Sequence, residues 1–487
     1  MRRLSKIRLA FCALTAATLG LVPGLALAQQ VTVESPAALS LRVTTASEEA
    51  GRQFWAGLAD ARNIFFSRAT THFDRAIALD STLGLARVVR AAIVPGLTAT
   101  QRQAEVERGL ATMRSASTGE LLTALAFREF VAGNARQSHA LFETASKLLP
   151  GDPNLAFYAA QSTMSAEGPG RRVEAVRAAT EKFPDDAPSY NTLAYMLWQT
   201  GDHEGAFTAV RRYVALVPDQ PNPHDSYAEL LQWDGRYGEA MTHYGRATEL
   251  DSSFVEANMG MAEVLQLTAR GQEARRQIRQ AIGRAPSPQT GMSYTRALAH
   301  SFLLDGMLKE AMEQFAIVAR EAQANGSKNL AASVHREMAV ADAMSGQGRA
   351  IASHLATAAE LGGADVPQQL IATAVAHGTA GDITTARAAA EKLATAAQSD
   401  SQYVTASRTV NAIILLRENK PQEAQRQLSE AKADDPLVRA LLAESYRATG
   451  NTADSRTLRS QVINDPQFDL IDAHATIARV RAARIKA

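Results

Sequence analysis

Residues 199–221 read QTGDHEGAFTAVRRYVALVPDQP, and the order of Gly201, Ala206, Tyr213 and Pro218 within them decides the fold. His203 read with His224 suggests a metal, and Arg211-Arg212 suggests a phosphate, but neither reading accounts for that order. The stretch LLQWDGRYGEAMTHYGRATELDSS (230–253) repeats it with Gly235, Ala240 and Ser252. VLQLTARGQEARRQIRQAIGRAPS (264–287) continues with Ala274 and Pro286. Ala206, Ala240 and Ala274 are therefore 34 residues apart, as are Pro150, Pro184, Pro218, Ser252 and Pro286. A fixed period of this size is the mark of a solenoid.

Each period reads as two short amphipathic helices. DDAPSYNTLAYMLWQTGD (185–202) supplies a first helix with Leu193, Ala194 and Leu197 on one face. Gly201-Asp202 ends it, because glycine accepts the left-handed turn that stops a helix. HEGAFTAVRRYVALVP (203–218) supplies the second, with Ala206, Val210 and Val214 on a face before Pro218 breaks it. One pair alone leaves an apolar side in water. Stacking on its neighbours buries that side, so cooperativity passes between nearest neighbours.

These residues resemble the tetratricopeptide repeat family. Leu193-Ala194, Gly201, Ala206, Tyr213 and Pro218 fit its pattern, and Tyr227-Ala228, Gly235, Tyr237, Ala240, Tyr244 and Ala247 fit it better still. Ala262, Ala274, Ile278, Ala281 and Pro286 continue it; upstream Gly133, Phe142, Ala145 and Pro150 match, with Ser138 where the family prefers alanine. The resemblance implies an all-α, right-handed α/α superhelical solenoid of helix pairs with a concave, ligand-facing groove. It is strong over about 119–288 and looser elsewhere. The stretch with Pro95 and Gly96 fits the period poorly, and ANGSKN (324–329) widens it as a long loop or a weak boundary, which leaves room for a bend or two lobes. The expected organisation is a signal peptide (1–28), a short leader (29–45), divergent helical repeats (46–118), a clear array (119–288), a looser array (289–466) and a capping helix (467–487).

In that family geometry the outward flank of each first helix lines the groove. Here the flank contains Phe127, Phe130, Phe157, Gln161, Asn191, Tyr195 and Trp198, followed by Asp225, Glu229, Trp233, Met259 and Glu263. The aromatic residues offer broad amphipathic contact surfaces. The carboxylates favour a partner segment carrying Lys, Arg or a free amine. Asn191 is the lone fragment of the family's carboxylate-gripping pattern, whose lysines and arginines are absent, which argues against a partner held by its C-terminal carboxylate. Packing of Tyr195 and Trp198 against the next unit is the alternative reading of those rings.

The chain opens with MRRLSKIRLAFCALTAATLGLVPGLALAQQ: a basic start, an apolar run and Ala26-Leu27-Ala28, the pattern of a secretory signal peptide. Cleavage near Ala28 removes Cys12, the single cysteine, so the mature chain is expected to reach the periplasm or the exterior stabilised by packing rather than disulfides. It also removes Arg2, Arg3, Lys6 and Arg8, four of 51 basic residues and none of 50 acidic ones, leaving 47 against 50. A weakly acidic, well-mixed chain lacks the positive field that nucleic acid requires, and no later stretch is apolar for long enough to span a bilayer.

No sequence pattern carries catalysis. The ten histidines are scattered and read as surface and turn residues, with no HExxH helix and no surviving cysteine to complete a metal set. GxSxG and the P-loop motif are absent, and Gly346-Gln-Gly348 follows no strand. The expectation is therefore no enzyme, cofactor or metal, but a scaffold that binds a peptide or protein partner. The alternatives are an envelope hydrolase or accessory subunit, and a purely structural self-associating array.

Overall fold

The computed structural model describes residues 31–34, 40–94, 97–163, 169–346, 348 and 350–485; the expected signal peptide, with Cys12 and the cleavage position near Ala28, lies outside them. The described chain is helical almost throughout. The exception is an antiparallel ribbon of β1 (Val31–Glu34) and β2 (Arg42–Thr45), with Val33 opposite Val43. The chain divides into two compact units, one reaching Leu230 and one starting at Leu231.

In the first unit Glu48–Arg62 packs on Phe66–Leu79, Gly84–Ile93 on Ala99–Thr112 and Thr118–Ala132 on Ala135–Leu148. Pro153–Ser162 and Pro169–Lys182 follow as a pair, then Ala187–Gln199 and His203–Leu216. In the second unit Val255–Leu267 packs on Gly271–Gly283, Pro288–Leu304 on Leu308–Ala324 and Lys328–Ser345 on Ile351–Gly362. Pro367–Ala380 with Ile383–Ser399, Val404–Arg417 with Pro421–Ser429 and Pro436–Ala448 with Thr452–Ile463 complete the pairs. Second helices lean on the next first helix, as Ala135–Leu148 does on Pro153–Ser162. Successive pairs thus stack in sequence order, and the last helix, Ala473–Ala483, returns to earlier ones such as Pro288–Leu304.

Small residues set how closely the helices of a pair approach. Ala206, Ala240 and Ala274 are completely buried at equivalent places. At the same place Ser138 is also buried, and its hydroxyl donates to the Ala126 carbonyl at 2.9 Å. Ser455 repeats the solution by donating to Ala443 O at 2.6 Å. A serine therefore fits the alanine seat where the facing helix offers a carbonyl, because its polar atom is not left unpaired.

The turn inside a pair needs a left-handed residue. Gly201 (φ 87°) and Gly235 (φ 77°) supply it without a Cβ clash, whereas the next turn uses Ala269 at φ 59°. Such a conformation costs a residue with a Cβ about 1–2 kcal/mol. Ala269 holds it because Arg270 N–H still closes back onto the Leu265 carbonyl at 2.7 Å.

Two sequence readings change. Pro95 and Gly96 lie outside the described residues, but the poorly periodic stretch holds an ordinary helix pair, Gly84–Ile93 with Ala99–Thr112, so close that a Cβ on Gly84 would lie 2.2 Å from the Gly109 carbonyl. Two glycines at one crossing replace the usual alanine seam there. ANGSKN is neither a long loop nor a boundary: it spans the short turn between Leu308–Ala324 and Lys328–Ser345. The extra residues lengthen helices, since Pro288–Leu304 and Leu308–Ala324 have 17 residues each where Val255–Leu267 and Gly271–Gly283 have 13.

Candidate functional site

Along the first unit the C-terminal halves of successive first helices carry Phe127, Gln161, Tyr195 and Glu229, each 34 residues after the last. Tyr195 donates its hydroxyl to Glu229 Oε2 at 2.6 Å, so two residues one full period apart touch. Burial, with the charges of Glu229 and Asp225 adding to it, pushes the Tyr195 phenol well above its ordinary pKa and keeps that hydrogen in place. Gln161 reaches the next first helix by donating to Thr192 Oγ1 at 3.1 Å, and it accepts from Arg172. Neighbouring first helices are thus joined side chain to side chain at Gln161–Thr192 and Tyr195–Glu229. The described chain is an all-α helical repeat solenoid.

The flank residues of this array differ in exposure. Phe130 is 42 % exposed. Phe127 and Trp198 are buried: Phe127 meets Phe142 of its own pair and Tyr158 of the next edge-on at 5.0 Å, and Trp198 stacks on His203 of its own pair at 4.0 Å. Phe157, Asn191, Asp225 and Glu229 are also buried, while Gln161 and Tyr195 are half-buried. In the second unit Trp233 is half-buried, and Met259 and Glu263 are buried, Glu263 accepting from Gln232 Nε2 at 3.4 Å.

The chain itself covers one edge of the face in the first unit, which the sequence did not disclose. Leu41 N–H donates to Asp152 Oδ2 at 2.9 Å, and the backbone and hydroxyl of Thr44 both donate to Glu120 at 2.6 Å. Farther on, Arg62 forks onto Asp186 at 2.9 and 2.6 Å and donates to Asn154 Oδ1 at 2.8 Å. Its guanidinium also lies 4.4 Å from the Phe157 ring centre. Asn63 then accepts from the Tyr213 hydroxyl at 2.9 Å, which in turn accepts from Asn222. Asp152 and Asp186 occupy the same repeat position, at the starts of successive first helices, where a carboxylate also suits the helix dipole.

The second unit holds a polar cluster that sequence reading also missed. His300, taken above as a surface or turn residue, is only 1 % exposed, and His224 is buried too. His300 Nε2 faces Glu337 Oε2 at 3.0 Å, while Arg296 reaches both carboxylate oxygens at 2.8 and 2.5 Å. Burial alone would raise the Glu337 pKa, but the Arg296 and His300 charges and hydrogen bonds outweigh it and hold it near about 2. These residues lie 37 and 41 positions apart, outside the 34-residue period, because the helices there are longer.

No family model and no curated protein matches the chain. Several solved structures are similar over part of it. A thermophilic tetratricopeptide protein of Thermus thermophilus is 18% identical, with 38% of this chain and 100% of that one covered at a TM-score of 0.33. PilW, a type IV pilus biogenesis factor, is 18% identical over 44% of this chain and 96% of its own, at 0.36. Pseudomonas aeruginosa PilF is 15% identical over 43% and 96%, at 0.34. No helix among the described residues is long and apolar enough to cross a membrane.

Proposed function

We propose that the protein is a periplasmic or secreted interaction scaffold whose first unit binds an extended peptide or a protein partner across Phe130, Gln161 and Tyr195, with the carboxylate of Glu229 beneath Tyr195. The Tyr195–Glu229 hydrogen bond carries the reading, because it makes neighbouring repeats one continuous surface rather than separate patches. Phe130 supplies an exposed aromatic anchor. Asp225 and Glu229 lie close enough to act together on the Tyr195 phenol, and a basic side chain of the partner would enter that same field.

The test is fluorescence anisotropy of the mature protein against labelled peptides matched in length but rich in Lys/Arg or in Asp/Glu. Basic peptides should bind more tightly, and Phe130→Ala and Glu229→Gln should each weaken them by roughly tenfold with unchanged circular dichroism. Equal binding of both peptide sets, or binding untouched by either substitution, would sink the proposal. Export is tested separately by sequencing the N-terminus of the protein recovered from the periplasm, which should begin at Gln29.

A further inference from the structure

Residues 466–485 lie on the second unit as a peptide lies on its receptor. Two of the segment's backbone carbonyls are read by side chains of the array. Gln232 Nε2 donates to Pro466 O at 3.3 Å, and His300 Nδ1 donates to Leu470 O at 2.7 Å. Glu337 holds the far side of the His300 ring, so the imidazole is aimed before the segment arrives. Phe468 and Leu470, the latter completely buried, then enter the apolar cluster formed by Val255, Met259, Ile278 and Met292.

The helix Ala473–Ala483 continues across further first helices. His474 Nε2 meets Asp435 at 2.9 Å, and Arg481 donates to Glu444 Oε2 at 2.8 Å. Arg484 donates to the Met344 carbonyl. The array thus provides carboxylates and backbone-reading side chains, and the segment provides apolar anchors and basic groups. That is the division of labour of a peptide complex.

A partly open pocket of about 220 Å³ lies between Leu303, Phe315 and Met344 of the array and Thr476, Ile477 and Val480 of the segment.

We propose that the first-helix face of the second unit is a peptide-binding site and that its resident ligand is the chain's own segment 466–485, held in cis. The occupant it fits in trans is the same segment of a second copy: an aromatic and an aliphatic anchor two residues apart, followed by a short basic helix. This site is independent of the surface proposed for the first unit.

The test places a protease site between Asn464 and Asp465 in the full chain, cleaves it after folding, and adds a labelled synthetic peptide of residues 465–485. Circular dichroism is compared before and after cleavage. The labelled peptide should replace the severed segment saturably, and its Leu470→Asp version should bind roughly 100-fold more weakly because a carboxylate would enter an apolar seat. Failure of the peptide to enter without melting the array, or loss of helical signal on cleavage, would show an inseparable core and overturn the proposal. Hydrogen exchange on the intact chain gives a second reading if the insertion itself disturbs folding. Amides of 473–483 should exchange faster than those of Val255–Leu267, and equal rates would overturn it.

Discussion

The two units cover their first helices with different chemistry. In the first, residues 41–63 run as a strap fastened at the starts of helices through Glu120, Asp152 and Asp186. In the second, residues 466–485 act as a plug, with Phe468 and Leu470 buried among the repeats. A strap tied at helix starts leaves positions farther along the helices, such as Gln161 and Tyr195, partly reachable. A plug does not. The regular period accompanies the strap, and the lengthened helices accompany the plug.

The contrast is most easily broken at its buried charges. Arg62→Ala should cost about 3–5 kcal/mol, because it leaves Asp186 without its buried partner; both side chains are under a tenth exposed. The loss should appear in urea unfolding and, by hydrogen exchange, in the first unit only. Glu337→Gln should cost the second unit about 3 kcal/mol, from a carboxyl held near about 2 instead of 4.5. Since the folded value is the lower one, that stability is complete above the ordinary carboxyl range and disappears as pH falls toward 2. Denaturation between pH 5 and 2 should therefore be steeper for the wild type than for the variant. A profile unchanged by Glu337→Gln would remove this cluster from the account.

Smaller effects sharpen the comparison. Leu470→Ala should destabilise the second unit by about 2–5 kcal/mol, the usual range for an emptied core seat, and speed cleavage of the segment by protease. Gly235→Ala should lower the melting temperature through a loss of about 1–2 kcal/mol, because the left-handed turn would then hold a Cβ. Ala269→Gly should do the reverse by about 0.5–1 kcal/mol, offset by the greater freedom glycine gives the unfolded chain. If both substitutions were neutral, the turns would not be under the strain described.

Local features were legible in the sequence wherever a residue's role repeats. Gly201, Gly235, Ala206, Ala240 and Ala274 announce the helix pairs because each sits in the same surroundings one period later. Tyr195 and Glu229 could be placed on one row for the same reason, although their hydrogen bond could not be foreseen. Arg62, His300 and Leu470 carry no such signal. Their partners lie far along the chain, as with Arg62 and Asp186, and periodicity says nothing about which unrelated segment crosses a repeat face. The burial of Phe127 and Glu263 was hidden likewise, because one helical flank serves both neighbours and solvent, whereas packing of Trp198 was one of the two readings its ring allowed.

The plug has a consequence during synthesis. Helices such as Val255–Leu267 and Pro288–Leu304 emerge from the ribosome long before Phe468 and Leu470 exist to shield them. A product halted short of residue 466 would carry an open greasy seam, the kind of surface that chaperones hold and that drives aggregation. The arrival of residues 466–485 therefore also reports that the repeats they cover have been made.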